Sequence, residues 1–260
     1  MSEYKNTTRI IGDVNSGLLV VYKKLGETPL QCLDRIRKEL PQYGQAVLSY
    51  AGRLDPLASG LLLVLVGEEN KNRNKYLNLP KSYEFYVLWG ISTDTFDPLG
   101  LVSAITSVAI TEKQVLDITK SFEGLFLQEY PAFSSRTVNG TPLFQLAREG
   151  RLTDIDLPKK EVVIKSIDLL SHSFISAGEL LNKVQEMILC VSGDFRQDLI
   201  LNKWQEVLSG SGDIFYISKM RVSAESGLYV RALVNAFGAK VSCGALAFGI
   251  DRITLGEYHF

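Results

Sequence analysis

Hydrophobic positions along the chain fall into short blocks separated by polar, turn-forming stretches. Gly17 to Tyr22, Gly-Leu-Leu-Val-Val-Tyr, is a β-rich apolar run, and Thr28 stands as a cap before a helix expected from Pro29 to Leu40. Between Val47 and Gly67 a polar, glycine-containing segment, Ser49 to Gly60, interrupts two apolar stretches, the second being Leu61 to Val66. A loop held between two buried strands is expected there, a place that suits functional side chains. A strand through Tyr83 to Trp89 leads into Ser92 to Gly100, dense in turn formers and a second candidate functional loop. Helix signals recur around Thr111 to Phe122, Pro142 to Glu149 and Glu179 to Leu189, with mixed strand and helix patterns to the end. This order predicts an α+β fold rather than strict βαβ alternation. No internal repeat, low-complexity tract or long Pro/Gly linker appears, so residues 1–260 read as one domain.

Composition narrows the setting. At 260 residues and 46% hydrophobic content the chain can fill a real core. The start, Met1-Ser2-Glu3-Tyr4-Lys5, lacks a basic-then-apolar leader, and no apolar run approaches the roughly 20 residues of a membrane span. The expected compartment is therefore the cytoplasm, with no membrane partner. Cys32, Cys190 and Cys243, with His172 and His259, support neither a disulfide framework nor a zinc site. With 28 Lys plus Arg against 29 Asp plus Glu, the net charge of -1 gives no global pull toward a phosphate backbone, so any nucleic-acid contact must be local.

The candidate chemistry sits in Ala51-Gly52-Arg53-Leu54-Asp55-Pro56-Leu57-Ala58-Ser59-Gly60. One carboxylate lies beside an arginine and between two glycines that allow close backbone approach to a ligand. Arg53 can hold Asp55 ionised by charge pairing, which leaves the kind of carboxylate nucleophile that forms covalent intermediates in glycosyl transfer. An isolated Asp-Pro is more often a turn or a helix cap, and on these residues alone that reading stands.

The segment closely resembles the catalytic motif of the TruB family of pseudouridine synthases, Gly, any residue, Leu-Asp-Pro-Leu-Ala-Thr/Ser-Gly, with Asp55 on the catalytic aspartate. Lys81-Ser82-Tyr83, Trp89-Gly90 and Thr93-Asp94-Thr95 with Asp97 and Gly100 are similar to a second family segment, placing Tyr83 on its active-site tyrosine. Pro131-Ala132-Phe133-Ser134-Ser135 and Ala147-Arg148-Glu149-Gly150, spaced through Asn139-Gly140, match a third. Ser226-Gly227-Leu228-Tyr229-Val230-Arg231-Ala232-Leu233 matches a fourth, so Tyr229 and Arg231 inherit active-site roles. Ile250 corresponds to an apolar position of the uracil pocket. The resemblance runs from about Gly17 to Ile250 and implies a pseudouridine synthase fold, a central mixed or antiparallel sheet flanked by helices and loops.

It further implies an isomerase acting on the T-arm of tRNA at the T-loop uridine of position 55, as a monomer, with no metal or organic cofactor. The alternatives are another structured RNA, such as ribosomal RNA, or an idle tRNA-binding or chaperone module. In these roles Asp55 starts the reaction at the sugar and Tyr83 stacks on the base. Arg231 offers Asp55 a bidentate fork. Tyr229, two residues before Arg231, would face the same side on a strand. RNA contacts fall to Tyr50, Arg53, Arg136, Arg148 and Arg151, in part the basic stretch that continues through Lys159 and Lys160. Tyr50 occupies the position where the family usually carries a base-wedging histidine, and Thr137 a position where many relatives carry lysine. The family's C-terminal PUA domain is expected to be absent, with no room for it after Phe260. Residues from about 177 to 213 look like a helical insertion that could dock RNA, a partner or the core.

Overall fold

The computed structural model describes residues 8–106 and 109–260; the first five residues, read above for a leader, lie outside them. In chain order β1 (Thr8–Gly12) and β2 (Ser16–Lys23) form a hairpin, followed by helix α1 (Pro29–Glu39), β3 (Leu48–Ala51), β4 (Ala58–Gly67) and the short α2 (Arg73–Leu77). Next come β5 (Lys81–Trp89), a small hairpin of β6 (Ile91–Thr93) and β7 (Val102–Ile105), α3 (Glu112–Ser121) and β8 (Gly124–Glu129). The two-residue strands β9 (Thr137–Val138) and β10 (Thr141–Pro142) precede α4 (Leu143–Arg148) and the long β11 (Lys159–Ser176). The chain ends with α5 (Ala177–Leu189), α6 (Gln197–Leu208), β12 (Ile214–Ala224), α7 (Val230–Lys240) and β13 (Ala245–Leu255).

The main sheet runs β1-β2-β4-β13-β5-β12-β11-β8, with β3 also paired to β4. All its pairings are antiparallel except β13 with β4, so the sheet is mixed, as the sequence led one to expect. The continuous apolar runs of β2 and β4 follow from covering both faces, because alternate side chains point to opposite sides. Leu19, Val21, Leu62, Val64 and Val66 meet Cys32, Leu33 and Ile36 of α1. Leu18, Val20, Leu61, Leu63 and Leu65 meet Tyr76 and Leu255 on the other side. Tyr83, Phe85, Val87 and Trp89 of β5 join Leu233, Val234 and Phe237 of α7 in the largest cluster.

Two local expectations shift. The loop expected from Ser49 to Gly60 is shorter, because Tyr50 and Ala51 pair with Val64 and Leu63, leaving only Gly52 to Leu57 irregular. The stretch of about 177 to 213 does fold as two helices, and they are part of the core: Leu180, Val184, Ile188, Ile200 and Trp204 pack with Leu88, Leu99 and Leu246.

Helix α1 begins where its sequence says it should. The Thr28 hydroxyl accepts from Gln31 N at 3.2 Å while Gln31 Oε1 accepts from Thr28 N at 2.7 Å, a reciprocal capping box. Thr28→Ala removes the acceptor for an orphan helix amide, and the expected loss is about 1 kcal/mol of unfolding free energy. Urea denaturation checks this as a lower midpoint at unchanged slope.

Candidate active site

Arg231 is the organising side chain. It lies in the first turn of α7, is 3% exposed, and spends its donors on three separate segments. Its Nε donates to Asp55 Oδ2 at 2.8 Å, Nη1 to Thr95 O at 2.7 Å and Nη2 to Phe133 O at 3.2 Å. Asp97 Oδ2 lies 3.7 Å from the same Nε. Burial pulls the guanidinium pKa down, but the charges of Asp55 and Asp97 outweigh it and leave it above the ordinary arginine value.

Asp97 is the second, deeper carboxylate. Burial pushes it up to about 6 against the pull of Arg231 and of the Thr95 hydroxyl, which donates to Asp97 Oδ1 at 2.6 Å. Leu99 N donates to the same oxygen at 3.0 Å and closes the turn. Asp55, by contrast, keeps 31% of its side chain exposed, so of the two carboxylates it is the one a ligand can reach. The Asp55-Pro56 loop is fixed from behind by the fully buried Lys23, whose Nζ donates to Glu27 O at 2.5 Å and Pro56 O at 3.4 Å. Burial lowers the Lys23 pKa to about 8.

Two cavities meet at Asp55. One, of about 250 Å³, is lined by Tyr83, Tyr229, Ile250, Lys81, Arg252 and the Gly52–Asp55 segment. The other, of about 350 Å³, is lined by Phe133, Phe144, Arg148, Phe195, Arg196 and Asp97. Arg53, Leu54, Asp55, Ser134, Ser135 and Arg231 border both. Tyr83 is buried, and its hydroxyl shares a hydrogen bond with Arg252; burial raises its pKa, and burial likewise pushes Tyr229 up to about 12. Gln128 clasps the turn before α7, its Nε2 donating to Gly227 O at 2.6 Å and its Oε1 accepting from Tyr229 N at 2.9 Å.

The structure thus brings Asp55, Tyr83, Tyr229, Arg231 and Ile250 together, with corrections to how. Tyr229 and Arg231 do not share a strand: Tyr229 caps α7 in extended conformation, and Arg231 is helical. The reason is legible, since Val230, Leu233, Val234 and Phe237 are buried at helical spacing. Both still border the smaller cavity. The guanidinium on Asp55 belongs to Arg231, not Arg53, whose Nη2 instead reaches the Tyr50 hydroxyl at 3.5 Å. The flanking glycines give close approach to the protein itself: at Gly60, φ +104°, a Cβ would meet Arg252 O at 2.4 Å, where β4 runs beside β13.

The RNA-contact candidates divide. Arg148 pairs with Asp194 and Arg151 with Glu149, while Arg136 lies over the Tyr130 ring at 5.3 Å, and that ring stands edge-on to Tyr229. Arg53 borders both cavities, and Tyr50 neither. Three site residues escaped the sequence reading: Asp97 as Arg231's second carboxylate, Arg196, and Arg252. The last is 1% exposed and donates to Leu61 O at 2.8 Å and Gly52 O at 3.0 Å; its signal was an arginine in the middle of the final strand. Among the described residues no cluster of metal-ligating side chains occurs, and no helix is long and apolar enough to cross a membrane.

Residues 42–190, more than half of the chain, match the model of the TruB family pseudouridylate synthase N-terminal domain. The chain belongs to the TruB family. Its similarity to curated relatives of that family extends over nearly its whole length. It is 29% identical over 242 residues to the tRNA pseudouridine synthase B of Blochmanniella floridana, covering 93% of this chain and 77% of that protein. Against the Syntrophobacter fumaroxidans protein of the same name it is 28% identical over 244 residues, covering 94% and 65%. Against that of Thermotoga maritima it is 29% identical over 242 residues, covering 93% and 63%. Relatives of that name are therefore longer than this chain. In fold the TruB chain is similar to the protein of the archaeal box H/ACA sRNP Nop10-Cbf5 complex, with a TM-score of 0.56 at 15% identity over 95% of this chain and 50% of that one. A complex of H/ACA RNP with a substrate RNA gives 0.54 at 15% identity, over 100% and 60%. The pseudouridine synthase fold expected from the motifs is the fold observed.

Proposed function

We propose that this chain isomerises uridine to pseudouridine at position 55 in the T-loop of tRNA, with Asp55 as the catalytic residue. The observation that carries the reading is the Asp55 carboxylate, bonded to a buried Arg231 and facing a cavity walled by Tyr83, Tyr229 and Ile250. The reaction detaches uracil from its sugar, turns it and rejoins it through carbon, so the base must be held free while water is kept out. A cavity of about 250 Å³ beside the carboxylate supports that requirement. Asp55 acts at the sugar, by direct attack or by helping to remove a sugar proton, and the Arg231 Nε–H holds its carboxylate in place for either route. Tyr83 and Ile250 hold the base between a ring and an aliphatic chain. Because the Tyr83 hydroxyl is hydrogen-bonded to Arg252 inside the pocket, it is fixed in place beside the base.

A uridine inside a folded loop must first be extruded, at a cost of a few kcal/mol. Arg53 and Arg136, which have no carboxylate partner within ion-pair distance among the described residues, are suited to the neighbouring phosphates. The exposed pairs of Arg148 and Arg151 are weak enough to exchange for phosphate. A monomer is the working unit of this proposal.

The test is to incubate the full chain with an unmodified tRNA transcript, a transcript carrying cytidine at position 55, and a structured ribosomal RNA fragment, then map pseudouridine at single-nucleotide resolution by chemical labelling. Modification confined to position 55 of the first transcript is the expected outcome. Modification only in the ribosomal fragment moves the target, and none in any RNA overturns the reaction.

A further inference from the structure

The helical pair α5 and α6 packs into the core, but the connection between them, residues 190–196, reaches away from the pair toward the catalytic centre. Arg148 Nη2 of α4 donates to Asp194 O at 2.5 Å. Arg196 then takes a left-handed backbone, φ 64°, rare for a residue with a side chain, and turns its guanidinium toward Asp94. Its Nη1 lies 2.9 Å from Asp94 Oδ2 and its Nη2 3.4 Å from Oδ1, a two-pronged pair, while its Cζ sits 4.4 Å from the centroid of the Phe133 ring.

The two segments that Arg196 grips are the two that hold Arg231. Thr95, next to Asp94, and Phe133 each present a backbone carbonyl to the Arg231 guanidinium. Asp94 Oδ1 also accepts from Leu101 N at 2.8 Å, tying both ends of the turn that carries Asp97. We propose that Arg196 is a positioning residue, supplied by the helical insertion, that clamps the Asp94 turn to the Phe133 segment and so fixes Arg231 and, through it, Asp55. Docking the helices does not require this contact, because Ile200, Trp204 and Leu208 already bury them and Trp204 Nε1 donates to Pro98 O at 3.1 Å. A pair whose arginine is 25% exposed adds little stability, whereas a planar fork on a carboxylate with its face on a ring sets geometry.

The inference rests on the reading of Asp55 as the reacting group, so its test uses one readout tied to that reaction and one independent of it. Single-turnover rates on tRNA transcript at saturating enzyme, with tRNA affinity measured separately, are compared for the full chain, Arg196→Ala, Arg196→Lys and the control Leu199→Ala, whose side chain is exposed on α6. Nitrogen-15 spectra follow the Arg231 Nε–Hε resonance, identified by its disappearance in Arg231→Lys. Arg196→Ala is expected to lose roughly 10- to 100-fold in saturated rate with affinity within about threefold, and to shift or broaden the Arg231 resonance. Arg196→Lys, keeping the charge without the fork, falls between, and the control changes neither. An unmoved Arg231 resonance in Arg196→Ala overturns the inference, as does a rate loss that only tracks the folded fraction or a loss of affinity at unchanged saturated rate. A wild-type chain that modifies no RNA, while Arg196→Ala still moves the resonance, leaves the clamp standing and removes the proposed reaction.

Discussion

An Asp55→Asn variant is expected to fold and yet to lose roughly 10⁴-fold or more of the single-turnover isomerisation rate. Asparagine keeps an oxygen where Asp55 Oδ2 accepts from Arg231 Nε at 2.8 Å, so the hydrogen bond survives while the charge goes. Without charge the group can neither attack the sugar nor take a proton from it, and neither proposed route runs. The structural cost stays modest, because Asp55 is 31% exposed and Asp97 still faces Arg231 at 3.7 Å. Mapping product and recording the thermal midpoint together separates the cases. A folded variant with undiminished turnover removes Asp55 from the chemistry, whereas Asp55→Ala should be equally inactive and less stable, since its buried guanidinium loses a hydrogen bond as well.

How much of this could be read from the chain depends on whether the cause is local. Helix α1 was legible because its start is written in four residues, Thr28-Pro29-Leu30-Gln31, whose side chains close on their own backbone. Strands β2 and β4 were legible because burial on both faces leaves an uninterrupted apolar run. Whether Tyr229 and Arg231 share a strand or straddle a helix start is less legible, because two residues at an element boundary fit a period of two as well as the helical spacing of Val230, Leu233, Val234 and Phe237. The partner of Asp55 could not be found locally at all. Arg53 is two residues away and Arg231 is 176, and only the pairing of β4 with β13 and of β13 with β5, which sets α7 beside the loop, decides between them. The same holds for Arg196, whose proposed role depends on where α5 and α6 dock and not on any motif around it.

Arg231→Met tests the centre from the other side and should be the most destabilising change at the site, by about 3–5 kcal/mol at pH 8. Methionine fills much of the same volume, but the carbonyls of Thr95 and Phe133 lose their donor, and Asp97 is left buried without its countercharge. The pH dependence identifies which loss dominates. Burial already raises Asp97 to about 6 in the intact protein, so the folded state holds a proton that the unfolded chain releases near the ordinary carboxylate value of 3.8. Stability contributed by that group is therefore present at acid pH and declines as pH rises through the folded value. Removing Arg231, which pulls Asp97 down, moves the folded value higher and extends the decline into the neutral range. The stability gap between the intact chain and Arg231→Met should be smallest near pH 5, where Asp97 is protonated in the variant, and should widen toward pH 8. Urea unfolding at several pH values reads this directly. A gap constant across that range would mean that the two orphaned carbonyls, and not the buried carboxylate, make Arg231 necessary to the fold; a widening gap would mean that the residue bonded to Asp55 also neutralises Asp97, so that the proposed catalytic centre and the stability of the fold depend on the same charge.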